Sequence, residues 1–251
     1  MAGGQTKFVR SVGGAIALVG GLWLAGLSPA SATLIDAIHA LRPGDSYRVA
    51  FVTTGQYNAT STTAGTYNLD VQAAASGGSV TASLGLTWNA FVSAASTSAI
   101  MNTGLNPASA GTVYYFNTRG DVVAMSDADL LDGVLLQPIS FDENGKSRNA
   151  EVWTGSNVDG TVATGDSLGS NMVVYGNSYN INSAWADVGI APVGQPFSLY
   201  GLSSLATVKL ATQSVPAGAS IPISEPGSTG LIVLGLTGLA CCYRGRMRNH
   251  A

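Results

Sequence analysis

Hydrophobic and polar positions divide the chain into two apolar ends, Val12–Leu27 and Thr229–Tyr243, around a long polar middle. Within the middle, Tyr47–Thr53 alternates apolar and polar side chains and predicts a strand. Ala64–Ser76 carries Tyr67, Val71 and Ala74 at helical spacing, with Leu69 and Ala73 beside them, and predicts a helix. Leu84–Val92 reads as a strand around Trp88. Thr112–Phe116 and Val122–Met125 flank Asn117–Asp121, which has the composition of a hairpin turn. Ser126 is a good N-cap for a short helix. Asp127 and Asp129 complement its positive end, and Asp132-Gly133 ends it, so these three aspartates are read as capping residues. Further short strands are expected near Gln137–Phe141, Glu151–Thr154, Asn171–Tyr175 and Phe197–Leu202, with tight turns at Asn144-Gly145 and Asp159-Gly160. Residues 203–222 are polar, carry Pro and Gly, and read as a linker. No period of ~20–50 residues marks a repeat array. The pattern predicts an α+β domain of short strands and few helices.

The apolar ends have the form of targeting segments. Lys7 and Arg10 precede the first, and Pro29 and Ala30-Ser31-Ala32 follow it. A basic start, an apolar run and a small-x-small site predict a signal peptide over residues 1–32, cut by signal peptidase between Ala32 and Thr33, with Ala30 and Ala32 as the small residues. At the other end, the fifteen residues Thr229–Tyr243 would rise only ~22 Å as a helix, against a bilayer core of ~30 Å. Arg244, Arg246 and Arg248 follow and place the C-terminus in the cytoplasm. With Glu225-Pro226 ahead of it, segment 223–251 resembles the PEP-CTERM sorting signal of Gram-negative bacteria. The family's tripeptide is Pro-Glu-Pro, and Ser224 stands here where its first proline belongs. The resemblance implies a membrane-embedded exosortase as partner, a transient anchor in the inner membrane, and final residence at the cell surface or in the extracellular matrix.

Removing the ends changes the charge. Residues 33–226 hold six basic and fourteen acidic side chains, a formal charge of −8, against −3 for the whole chain. Such a domain repels phosphate backbones, which argues against nucleic acid as a partner. The two cysteines, Cys241 and Cys242, both lie in the apolar tail. That removes disulfides, thiolate metal sites and cysteine nucleophiles from the domain. His39 is its single histidine, near the new N-terminus. Neither a Ser-His-Asp triad nor a multi-histidine zinc site can be built on it convincingly.

A second resemblance covers roughly residues 49–202. Phe51-Val52-Thr53 is followed by Trp88-Asn89-Ala90-Phe91, Ala128–Gly133, Asp142-Glu143-Asn144-Gly145, Val152–Asn157, Ser183–Asp187 and Ser198-Leu199-Tyr200. In that order the motifs resemble bacterial extracellular domains of the C-type-lectin-like, endostatin-like fold. This family includes spirochaete surface proteins that the resemblance implies bind host matrix and complement regulators. The resemblance assigns residues 33–202 to that domain. The family's usual cysteines are missing, so packing of Trp88, Trp153 and Trp185 is expected to replace disulfide support. The Glu-Pro-Asn and Trp-Asn-Asp motifs of calcium-dependent lectins do not occur, and a lectin-like fold does not by itself imply sugar binding.

Three constellations remain. Arg119-Gly120-Asp121 spells an integrin-recognition tripeptide, but Gly and Asp are also ordinary turn residues between two strands. Asp142, Asn144 and Asp159, with Glu143, offer oxygen ligands for calcium, yet without the spacing of a recognised calcium loop. No other cofactor is expected. Fourteen acidic residues supply carboxylates for glycosidase chemistry, but nothing in their spacing singles out a pair. The expected function is a non-enzymatic surface or matrix protein, adhesive or bound to extracellular polysaccharide. The alternative is a secreted carboxylate-based glycan-processing enzyme.

Overall fold

The computed structural model describes residues 33–209; the expected signal peptide and sorting segment lie outside the described residues. Strand and helix are mixed, with one large sheet and few helices. The helices are α1 (Leu34–His39), α2 (Ala64–Gly77), α3 (Ala99–Thr103) and α4 (Asp127–Leu130). The strands are β1 (Ser46–Val52), β2 (Trp88–Ala90), β3 (Val113–Asn117), β4 (Val122–Ala124), β5 (Glu151–Trp153), β6 (Met172–Asn177), β7 (Gly189–Pro192), β8 (Ser198–Ser203) and β9 (Ala206–Thr207). They form a nine-stranded sheet in the order β4-β3-β1-β8-β5-β6-β7, with β2 added to β8 and β9 to β1. β1 runs parallel to β3, and β5 parallel to β8; the other pairs are antiparallel. No helix among the described residues is long and apolar enough to cross a membrane.

β1 is the expected strand, and its alternation feeds two cores. Val49 and Phe51 enter one cluster, while Ala50 and Val52 enter the other. Each large side chain buried this way contributes about 1.5–3 kcal/mol. On the first face, α2 lays Tyr67, Val71 and Ala75 against the sheet. The buried stripe therefore runs through Ala75 rather than Ala74, and Leu69 points away, 73% exposed. Close approach of α2 requires Gly201 in β8: a Cβ there would come within 2.3 Å of Phe51 and 2.8 Å of Val71. The second face is covered by α3, α4 and an irregular segment that contributes Leu131, Leu135 and Ile139 beside Trp185 and Tyr200.

That segment corrects the strand expected at Gln137–Phe141. Pro138 offers no N–H to a ladder, Leu136 donates to Val123 instead, and only Phe141 makes a bridge, to Ser147. The strand expected over Leu84–Val92 shrinks to β2. Thr81–Leu84 forms a 3₁₀ turn, closed by Gly85 in the left-handed region at φ +63°. The stretch read as linker instead opens with the last residue of β8, Ser203, and carries β9, where Thr207 pairs with Ser46 and Val208 donates to Asp45. β7, which the pattern did not mark, is an edge strand ending in Pro192, the position where a sheet tolerates proline. Trp88 and Trp153 are buried on the first face and Trp185 on the second, the core role expected of them.

Candidate functional site

β5 positions the site. Trp153 and Glu151 are two residues apart, so both project to the same face of the sheet. Trp153 is fully buried and Glu151 is exposed at the strand's outer end. Glu151 pairs in register with Asn177 on β6. Beside them, Asn177 Nδ2 donates to Asn149 Oδ1 at 3.1 Å, which orders the two amides together. Ser178, fully buried, ties the neighbouring backbone by donating to Arg148 O at 2.7 Å and accepting from Ala150 N at 2.9 Å. The opposite wall is Phe197 with Pro196. Phe197 exchanges backbone hydrogen bonds with Tyr57, and its ring lies 4.4 Å from Trp153 and 5.2 Å from Tyr175. Gln56 completes an open cleft of about 430 Å³, within the size range of small-molecule sites (~300–1,000 Å³).

Arg148 supplies the cleft's cation. Its backbone N donates to Ser140 O at 2.7 Å, and its Nη2 donates to Thr54 O at 2.9 Å. Nε is buried without a partner and one N–H of Nη2 is held by Thr54 O, so the side-on edge is turned into the protein and the N–H groups of Nη1 and the second N–H of Nη2 are the donors left. Glu151 and Gln56 make no side-chain hydrogen bond among the described residues. The lining thus offers a donor-only group, an acceptor-only group, three amides that do both, and one aromatic side chain. Glu151 is the sole carboxylate among the described lining residues.

The calcium candidates are placed otherwise. Asp142 and Asn144 share a turn in which one side-chain oxygen of each is engaged by backbone N–H groups. Asp142 Oδ1 accepts from Asn144 N at 2.8 Å and Lys146 N at 3.0 Å, and Asn144 Oδ1 accepts from Ser79 N at 3.0 Å. Glu143 is 4% exposed, and its carboxylate accepts from both the N–H, at 3.0 Å, and the hydroxyl of Thr54. Asp159 sits in a separate turn, where Oδ1 accepts from Thr161 N and Oγ1. Among the described residues, no group of three or more His, Cys, Asp or Glu is arranged to hold a metal ion.

Arg119-Gly120-Asp121 lies on the expected β3–β4 turn, with Gly120 at φ +100°. The start of α1 packs onto it: a Cβ on Gly120 would meet Thr33 O at 3.0 Å. Asn117 Oδ1 accepts from Arg119 N and Asp121 N, both at 3.0 Å. These contacts give the tripeptide a structural task. His39 ends α1 and is exposed, while Leu34 and Ile38 dock the helix on the core.

Asp129 caps as expected, accepting from Met125 N at 2.7 Å, whereas Asp132 lies past the helix and forms a turn by accepting from Val134 N at 2.8 Å. Asp127 does something else. It is buried and accepts from the Tyr115 hydroxyl at 2.5 Å and from Asn106 N at 2.6 Å. Burial, reinforced by Asp127, pushes the Tyr115 phenol far above its usual range. Nearby, Arg48 is 5% exposed and donates to the carbonyls of Thr103, Gly104 and Ser203. These groups close the C-terminus of α3 and brace β1, and none of them lines the cleft.

The sorting residues Glu225, Pro226, Arg244, Arg246 and Arg248 and the cleavage residues Ala30 and Ala32 lie outside the described residues. The cleft residues carried no sequence motif. One local signal was available: alternation along the predicted β5 places Glu151 on the face of Trp153. The chain matches no protein-family model and no curated protein.

Proposed function

We propose that the protein is exported, anchored transiently in the inner membrane by its C-terminal tail, and released by an exosortase to the surface or extracellular matrix. There it binds polysaccharide without cutting it. The reading of both ends rests on the sequence: the Ala30-Ser31-Ala32 site, Glu225-Pro226, and the apolar run closed by Arg244, Arg246 and Arg248. The finer reading of the domain as C-type-lectin-like rests on the ordered motifs. In its favour, they fall on structural keystones: Phe51 and Val52 in β1, Trp88 in β2, Val152 and Trp153 in β5, and Leu199 and Tyr200 in β8.

The observation that carries the binding function is the cleft beside β5. Its mixture of donors, acceptors and an aromatic side chain suits a hydroxyl-rich ligand. Glycoside hydrolysis ordinarily employs two carboxylates flanking the scissile bond, whereas Glu151 is the single acid lining the cleft among the described residues. A pull-down with the full-length protein tests the reading: bound polysaccharide is expected to be recovered at unchanged length. Appearance of new reducing ends would favour the carboxylate enzyme, and absence of both binding and cleavage would leave a structural matrix component. Intact-mass measurement of the protein from its native host tests the export reading. Loss of both ends is expected, and a surface-exposed species that retains the arginine tail would contradict release.

A further inference from the structure

We infer that the cleft selects uncharged sugar rings over uronate-bearing ones, with Glu151 as the discriminating residue and Arg148 as a hydroxyl donor; this rests on the glycan-binding reading above. Arginine recognises carboxylates best through two parallel N–H groups. On Arg148 the side-on pair is lost, because Nε is buried and Nη2 is held by Thr54 O at 2.9 Å. The N–H groups left on Nη1 and Nη2 can donate to ring hydroxyls, so Arg148 serves a neutral ring and the discrimination falls to Glu151.

Glu151 acts in the opposite direction. It is exposed, has no side-chain hydrogen bond among the described residues, and stands in register with Asn177. An acceptor-only carboxylate accepts from sugar hydroxyls but repels a ligand carboxylate placed beside it. The domain's formal charge of −8 over residues 33–226 adds to that repulsion at low ionic strength. Asn149 and Asn177, ordered by their 3.1 Å hydrogen bond, and Gln56 can each donate to and accept from hydroxyls. Phe197, fixed against Trp153, offers an apolar wall to the C–H face of a pyranose. Hydroxyls at the rim and C–H groups on the face describe a neutral hexose polymer.

The test measures binding of the full-length protein to dextran, galactomannan and a mixed β-glucan, and to polygalacturonate and alginate cut to matched lengths. At least one neutral polymer is expected to bind at least ~10-fold more tightly than either polyuronate. Glu151→Gln is expected to raise polyuronate affinity about fivefold, the size of one like-charge contact at about 4 Å in water. That gain should fade as salt is raised, and Tm should not move. Arg148→Ala should weaken the neutral polymer. Wild-type protein that binds polyuronate as tightly as the neutral polymers, or a Glu151→Gln variant with an unchanged preference, overturns the selectivity and leaves glycan binding standing. Binding of neither class overturns the glycan reading itself.

Discussion

The turn at Asp142-Glu143-Asn144 and the segment from Arg148 to Glu151 are separated by three residues, and both are rich in polar side chains. In the turn those side chains are spent on the protein. Asp142 and Asn144 satisfy backbone N–H groups, and Glu143 is buried against Thr54. In the segment, the backbone and part of the Arg148 guanidinium are engaged by the protein, Asn149 pairs with Asn177 inside the cleft itself, and Glu151 faces an open cleft. Residue type is a poor guide to which polar group is available for a ligand. Availability depends on whether an unpaired backbone donor lies within reach. Where it does, a carboxylate that looks like a metal ligand becomes a piece of scaffold.

The largest effect that sharpens this contrast is expected at Glu143. Glu143→Ala strands the buried Thr54 contact and should lower stability by about 3 kcal/mol, measured by urea unfolding. An unchanged midpoint would remove the scaffold role. Next comes alkaline pH, which probes polar groups sealed in the core. Burial pushes Tyr67 up to about 12 and also raises Tyr115 and Tyr200 well above the usual phenol range. A folded-state value above the unfolded one of about 10 means that the native state holds its protons longer. Stability is therefore intact below pH ~10 and falls above it, by about 1.4 kcal/mol per pH unit for each such tyrosine. Absorbance-monitored titration at rising urea checks the slope.

On the open side the effects should be small. Asn149→Ala and Glu151→Gln are expected to change stability by less than about 0.5 kcal/mol, because each side chain is exposed. A larger loss would show that the cleft is held together by the groups assigned to a ligand. Smallest of all is the response to metal. Millimolar calcium or EDTA should leave Tm unchanged, since one side-chain oxygen of each of Asp142, Asn144 and Asp159 already accepts protein donors and Asp159 sits in a separate turn. A calcium-dependent rise in Tm that Asp142→Asn abolishes would restore the ion site.

Strong local patterns were legible before the structure. β1, α2, the β3–β4 hairpin and the Ser126 cap stand where alternation, helical spacing and turn chemistry put them. Errors arose where long-range packing overrode local signals. Residues 137–141 look strand-like, but Pro138 and the demand for Leu135 and Ile139 in the second core leave them irregular. Asp127 looks like a capping residue, yet its carboxylate turns inward to Tyr115, twelve residues away. α1, α3, β7 and β9 are too short to show a period, and they exist because the sheet or a core face receives them.

By itself the sequence determined the two apolar ends, the acidic cysteine-free middle and the mixture of short strands with few helices, because each follows from composition or local periodicity. The tertiary structure alone decided which polar residues stay open. Gln56, Arg148, Asn149, Glu151, Asn177 and Phe197 come from segments up to 141 residues apart, and they meet only because β5 pairs with β6 and Tyr57 bridges to Phe197. No local pattern encodes that meeting. Side chains within one segment share a face through backbone period, but those of distant segments converge only after the sheet has ordered them.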